Sequence, residues 1–114
     1  EAVIIATGSE VELSVKIADE LNQAGAAVRV VSMPCADVFL RQDAAWREQV
    51  LPASIRKRIA IEAGGTDYWY RFIGLDGLSL GLDQFGASAP ANQLFARFGL
   101  DFDSALPRVR DYLA

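Results

Sequence analysis

Ala2-Val3-Ile4-Ile5-Ala6-Thr7-Gly8-Ser9-Glu10-Val11-Glu12-Leu13 decides the fold class. Its first five residues form an unbroken apolar run rich in β-branched side chains. Such a run fits a strand buried on both faces, as in a parallel sheet. Thr7-Gly8 ends the strand. Ser9 followed three residues later by Glu12 is a capping-box pattern that starts a helix. Apolar positions Leu13, Ile17, Leu21 and Ala24 recur at helical spacing. Val11, Val15 and Ala18 widen the stripe to the breadth of a core-facing helix. Gly25 stops it, in the left-handed conformation that often follows a helix end.

The same alternation continues downstream. Residues 28–33 form a second β-rich run, closed by Pro34, which lacks the amide a central strand would use. Residues 36–42 read as an irregular connection. Residues 43–50 read as a short helix closed by Pro52, with Trp46 and Val50 on its apolar side. Residues 58–63 are a third strand. Thr66 or Asp67 then caps a helix through Tyr68, Trp69, Tyr70, Phe72 and Ile73. Residues 78–82 are a fourth strand after the tight turn at Asp76-Gly77. Residues 90–98 form a helix ended by Gly99. A last helix runs from about Asp103 to Leu113, with Pro107 near its first turn, where a missing amide costs little. Strands alternating with helices predict an α/β fold: three layers, α/β/α, around a mostly parallel sheet of four to five strands. With strand one central, the order of the four strands is 2-1-3-4.

Composition bounds the function. The chain has 114 residues, one domain's worth, spanning 1–114 without a linker or repeat. It is 52% hydrophobic and 23% charged, a globular balance rather than a disordered one. A domain of this size buries roughly two thirds of its unfolded surface, enough for a core without disulfides or metal. The lone Cys35 favours a reducing compartment, and a cytoplasmic location is expected. No apolar run nears the roughly 20 residues of a membrane span. The N-terminus reads as neither signal peptide nor natural start, which suggests a fragment with an upstream neighbour. The net charge of −4 argues against a nucleic-acid partner.

Candidate chemistry is sparse. The sequence has no histidine, which removes the commonest general base and metal ligand. Cys35 follows a strand end, but no neighbouring cation in sequence lowers its pKa, so a small half-buried side chain is the better reading than a nucleophile. Thr7-Gly8-Ser9 joins a strand to a helix N-terminus, where amides can hold an anion. Glu10 and Glu12 in that first turn repel phosphate and suit the helix dipole, so a structural cap is favoured. Gly74-Leu75-Asp76-Gly77 is not the Gly-Asp-Gly that opens a thiamine-diphosphate motif, because Leu75 intervenes and Asn92 is too close. The basic cluster Arg56-Lys57-Arg58 reads as a solvated turn before a strand in preference to a phosphate contact. The aromatic run Tyr68-Trp69-Tyr70-Arg71-Phe72 points around a whole helix. It reads equally as core filling and as a face that docks a partner. The expected sites are catalytic none, cofactor-binding none and metal none.

Several segments together resemble the C-terminal domain of transketolases. They are Ala6-Thr7-Gly8-Ser9-Glu10-Val11, Val31-Ser32-Met33-Pro34, Asp43-Ala44-Ala45 through Val50-Leu51-Pro52, Glu62-Ala63-Gly64 and Asp67-Tyr68-Trp69-Tyr70. The most specific stretch is Phe85-Gly86-Ala87-Ser88-Ala89-Pro90, continued by Leu94-Phe95 and Phe98-Gly99. The resemblance covers the whole chain in order. It implies a homodimeric parent that uses thiamine diphosphate and magnesium to move a two-carbon ketol unit between sugar phosphates in the pentose phosphate pathway. It implies that the catalytic residues lie in upstream domains and that this domain, which binds no cofactor itself, completes the subunit and helps pack the dimer. The aromatic helix from Asp67 is the candidate for docking on the upstream domains, and Trp69→Ala is then expected to weaken assembly more than it unfolds the domain. The resemblance also implies a fifth, antiparallel strand from sequence preceding residue 1. The edge of residues 28–33 is then unpaired here and tends to recruit another chain. The alternatives are a free-standing flavodoxin-like module binding a nucleotide or anion beyond Thr7-Gly8-Ser9, and the equivalent domain of a related enzyme such as dihydroxyacetone synthase.

Overall fold

The computed structural model describes residues 1–8, 10–33, 36–62, 67–81 and 101–114. Four parallel strands form one sheet: β1 (Ala2–Ala6), β2 (Val28–Ser32), β3 (Lys57–Ile61) and β4 (Leu78–Leu80), in the order β2-β1-β3-β4. This is the expected order. β1 lies between two neighbours, with Ile4 opposite Val30 on one side and Ile59 on the other. All five of its residues are buried, which is why its sequence is apolar without alternation. The strands end one or two residues earlier than expected, with Met33 and Glu62 just beyond them.

Side chains alternate across the sheet and build two cores. On one face Ala2, Ile4, Ile59, Ile61 and Leu80 pack under α1 (Glu10–Gln23) and the C-terminal helix α5 (Phe102–Leu113). On the other, Val3, Ile5 and Ala60 pack under α2 (Ala36–Leu40), α3 (Ala44–Val50) and α4 (Tyr70–Ile73). The molecule is therefore a three-layer α/β/α domain. Each fully buried isoleucine contributes roughly 1.5–3 kcal/mol through removal from water.

The expected stripe of α1 holds at its centre, where Ile17, Ala18 and Leu21 are buried and Leu13 packs on the core, and differs at its margins: Val15 is 43% exposed, Ala24 faces solvent, and Glu10 and Ser14 are buried. Ser14 can be buried because its hydroxyl donates to the Glu10 carbonyl at 2.8 Å. Gly25 has φ +99°, as the stop signal requires. Beyond it the Asn22 amide donates to the Val28 carbonyl at 2.9 Å and accepts from the Val28 amide at 2.8 Å. That side chain pairs the outer edge of β2 at its first residue.

Three further expectations are corrected. Residues 36–40 are helical, held by burial of Phe39 rather than by a readable period. The aromatic segment is a 3-10 turn, Asp67–Trp69, running into the short α4 rather than one regular helix. Pro107 is the sixth residue of α5, past the first turn, where its missing amide would have bonded the Asp103 carbonyl. The short helix over residues 43–50 is as expected, and Asp43 caps it: its Oδ1 accepts from the Trp46 amide at 2.8 Å. The expected helix over residues 90–98, Cys35 and the Phe85-to-Pro90 stretch lie outside the described residues.

Candidate functional site

In open parallel sheets ligands sit beyond the carboxyl ends of the strands, at the point where the strand order reverses. Here that point lies between β1 and β3, which run to neighbouring sheet positions from opposite crossovers. Thr7 and Glu62 follow the paired residues Ala6 and Ile61 and so stand at this edge. Gly8 adopts φ +62°, which opens the turn into α1. The Glu10 and Val11 amides bond the Thr7 and Gly8 carbonyls at 3.3 Å.

Glu10 is buried at 6% exposure. Its carboxylate folds back over the turn, with Oε2 at 3.9 Å from where a Cβ on Gly8 would stand. The first turn of α1 therefore already carries an anion of the protein's own, and the dipole it satisfies is not free for a phosphate. Across the edge, the Trp69 indole donates to Glu62 Oε2. Two carboxylates thus face the edge where a flavodoxin-like module would need donors. This arrangement fits a structural cap and weighs against the nucleotide-binding alternative. Among the described residues no three His, Cys, Asp or Glu side chains gather to hold a metal ion.

Trp69 itself is 4% exposed and belongs to the second core, with its ring 5.6 Å from that of Phe72. The expected docking role of Trp69 is corrected by its burial. The outward aromatic of that segment is Tyr68, 40% exposed and stacked against Arg71. The larger exposed apolar surface lies on α2 and α3, where Val38 is 47% and Trp46 45% exposed. They border an apolar groove floored by Val31, Met33 and Phe39. Sequence reasoning missed this face because α2 was read as irregular, so Val38 and Trp46 were not seen as neighbours.

The basic cluster has an architectural centre. Arg58 is half-buried, and its guanidinium donates to the carbonyls of Ile55, Phe72, Leu51 and Pro52 at 2.8, 2.7, 3.3 and 2.9 Å. It ties the end of α3 to the end of α4, where helix carbonyls lack partners. Lys57 stacks over the Tyr112 ring at 4.9 Å, and Arg56 is exposed. Arg56 and Lys57 are exposed, as the solvated reading expects, and Arg58 departs from it. Asp76-Gly77 forms the expected tight turn, with the Gly77 amide on the Gly74 carbonyl at 3.1 Å. A Cβ on Gly77 would stand 2.7 Å from the Ile73 carbonyl oxygen, so no larger residue fits without a backbone shift.

Comparison with known proteins decides the family. A family model described as the transketolase-like C-terminal domain matches residues 1–101. The chain belongs to the transketolase-like C-terminal domain family. Transketolase 1 of Vibrio vulnificus (strain YJ016) is 53% identical over 114 residues, all of this chain and 17% of that protein. Transketolase 2 of Pasteurella multocida (strain Pm70) is 51% identical over 113 residues and is likewise covered to 17% of its length. The chain thus spans about a sixth of the curated transketolases it matches. Among solved structures, transketolase from Leishmania mexicana superposes with a TM-score of 0.86 at 37% identity, over 97% of this chain and 16% of that one. Transketolase from Campylobacter jejuni gives 0.83 at 33% identity, over 96% and 16%. The transketolase C-terminal domain seen in these enzymes and the fold described above are therefore the same three-layer α/β unit. No described helix is long and apolar enough to cross a membrane.

Proposed function

We propose that this chain is the non-catalytic C-terminal domain of a transketolase subunit, and that its task is to complete the subunit and support packing of the dimer. The observation that carries this reading is identity above half over the whole chain, against a sixth of a transketolase. The parent transfers a two-carbon ketol unit between ketose and aldose phosphates, a reaction of the pentose phosphate pathway carried out in the cytoplasm. Thiamine diphosphate, with magnesium, would supply the electron sink for that chemistry. The described residues do not fit this cofactor. The Glu10 carboxylate lies at the turn that opens the helix nearest the functional edge, and Glu62 follows the end of the neighbouring strand β3. Diphosphate and a carboxylate-lined edge repel each other. We therefore assign the cofactor and the reacting groups to the remainder of the parent.

The face we assign to packing against that remainder is the α2–α3 groove with Val38 and Trp46. Exposed aromatic and aliphatic side chains around an apolar trough are what a permanent interface covers. Reconstitution tests this. The remainder of the parent transketolase, expressed separately, should bind this chain, and Trp46→Ala should weaken that binding by about tenfold or more, as loss of an interfacial tryptophan does. Equal binding by wild type and variant would remove the groove from the interface. No binding by either would remove the assembly role.

A further inference from the structure

A chain of net charge −4 carries 11 basic residues, and five of them line two adjoining clefts at the amino end of β3: Arg47, Arg56, Lys57, Arg58 and Arg71. The smaller cleft, about 330 Å³, lies between α3 and α4. Arg47, Arg58 and Arg71 line it with a single carboxylate, Glu48, and that carboxylate already accepts from the Ala53 amide at 2.9 Å. Three guanidinium groups against one carboxylate leave an excess of two positive charges.

These three arginines are not equivalent. Arg58 spends four of its five donors on backbone carbonyls and supplies mainly charge. Arg47 has its Nε buried with no hydrogen-bond partner. Buried donors are almost always paired, so this one marks a missing acceptor. Arg71 stacks on Tyr68 at 4.7 Å, which holds its guanidinium plane. Among the described residues the single ion pair joins Lys16 and Glu12, so neither Arg47 nor Arg71 has a carboxylate partner.

We propose that the cleft between α3 and α4 binds a phosphate monoester dianion through the guanidinium groups of Arg47 and Arg71. Two arginines lining one cleft suit a tetrahedral oxyanion better than one carboxylate, and a dianion balances the excess charge. The organic part of the ligand would lie on Phe39 and Phe72, the apolar wall of the same cleft. This cleft shares no lining residue with the edge that carries Glu10 and Glu62, and the proposal does not rest on the assignment of the parent enzyme.

The test is calorimetric titration of the chain with inorganic phosphate, with acetate as a monoanionic control. Saturable phosphate binding in about the millimolar range or tighter is expected. Arg47→Gln and Arg71→Gln should each weaken it by about tenfold, with unligated melting temperatures unchanged. Nitrogen-detected spectra of wild type give a second reading independent of variant folding: the Arg47 Nε signal should shift on saturation with phosphate. Absence of saturable binding, an unmoved Arg47 signal, or variants that bind as wild type does would overturn the proposal. So would acetate binding as tightly as phosphate, which would make the cleft a socket for a carboxylate side chain of a neighbouring polypeptide.

Discussion

Trp46 and Trp69 have opposite fates, and burial separates them. Trp69 is enclosed by the second core and bonded to Glu62, so Trp69→Ala leaves a cavity and an orphaned carboxylate. Chemical denaturation should show a loss of about 3–5 kcal/mol. Trp46 is nearly half exposed, and Trp46→Ala should change stability by about 1 kcal/mol or less while weakening assembly. Comparable destabilisation by both would contradict the division. Arg58 is the residue on which the helical layer depends. Arg58→Gln removes charge-assisted bonds to four carbonyls, those of Leu51, Pro52 and Ile55 after α3 and of Phe72 in α4, and should destabilise by about 2–4 kcal/mol. A loss near zero would show those carbonyls to be satisfied by water instead. Its role was hidden in sequence: the Arg56-Lys57-Arg58 triplet carries no sign of which residue turns inward.

At the scale of elements, α5 contains its own weakness. Pro107 is exposed in the second turn and leaves the Asp103 carbonyl without its helical partner. Pro107→Ala should raise stability by about 1–3 kcal/mol, read from the denaturation midpoint; destabilisation would mean that the proline's restriction of the unfolded chain dominates. The strands were legible because burial on both faces writes itself as continuous Val and Ile runs, and β1 is the clearest case. Helix α1 was legible in extent and at the centre of its core face, but not at the margins of that face. Ser14, bonded to its own helix, is buried while Val15 is exposed. Helix α2 was not legible at all, since five residues are too few for a period and only the burial of Phe39 makes the turn. Among the described residues β2 has a neighbour on one side only, and Asn22 pairs its outer edge at Val28 alone. We expect the rest of that edge to drive self-association at about millimolar concentration, and solution scattering from a strict monomer would contradict this.

At the scale of the molecule, the sheet presents an acidic edge at its carboxyl end, while basic clefts open beside the start of β3 and between α3 and α4. The first half of that polarity could be read from Glu10 next to Thr7-Gly8-Ser9. The second could not, because Arg47 and Arg71 come from separate helices and meet only through the packing of α3 and α4 on one face. The family, too, was legible, since its landmarks are turns and strand ends in a fixed order rather than catalytic groups. What the domain does in its parent rests on the claim that cofactor chemistry lies elsewhere. The most direct test is calorimetric titration of the chain with thiamine diphosphate and magnesium, followed by an assay of ketol transfer from a ketose phosphate to an aldose phosphate on the same sample. The account predicts neither saturable cofactor binding nor turnover. Saturable binding would contradict it and would direct attention to the turn at Thr7 and Gly8.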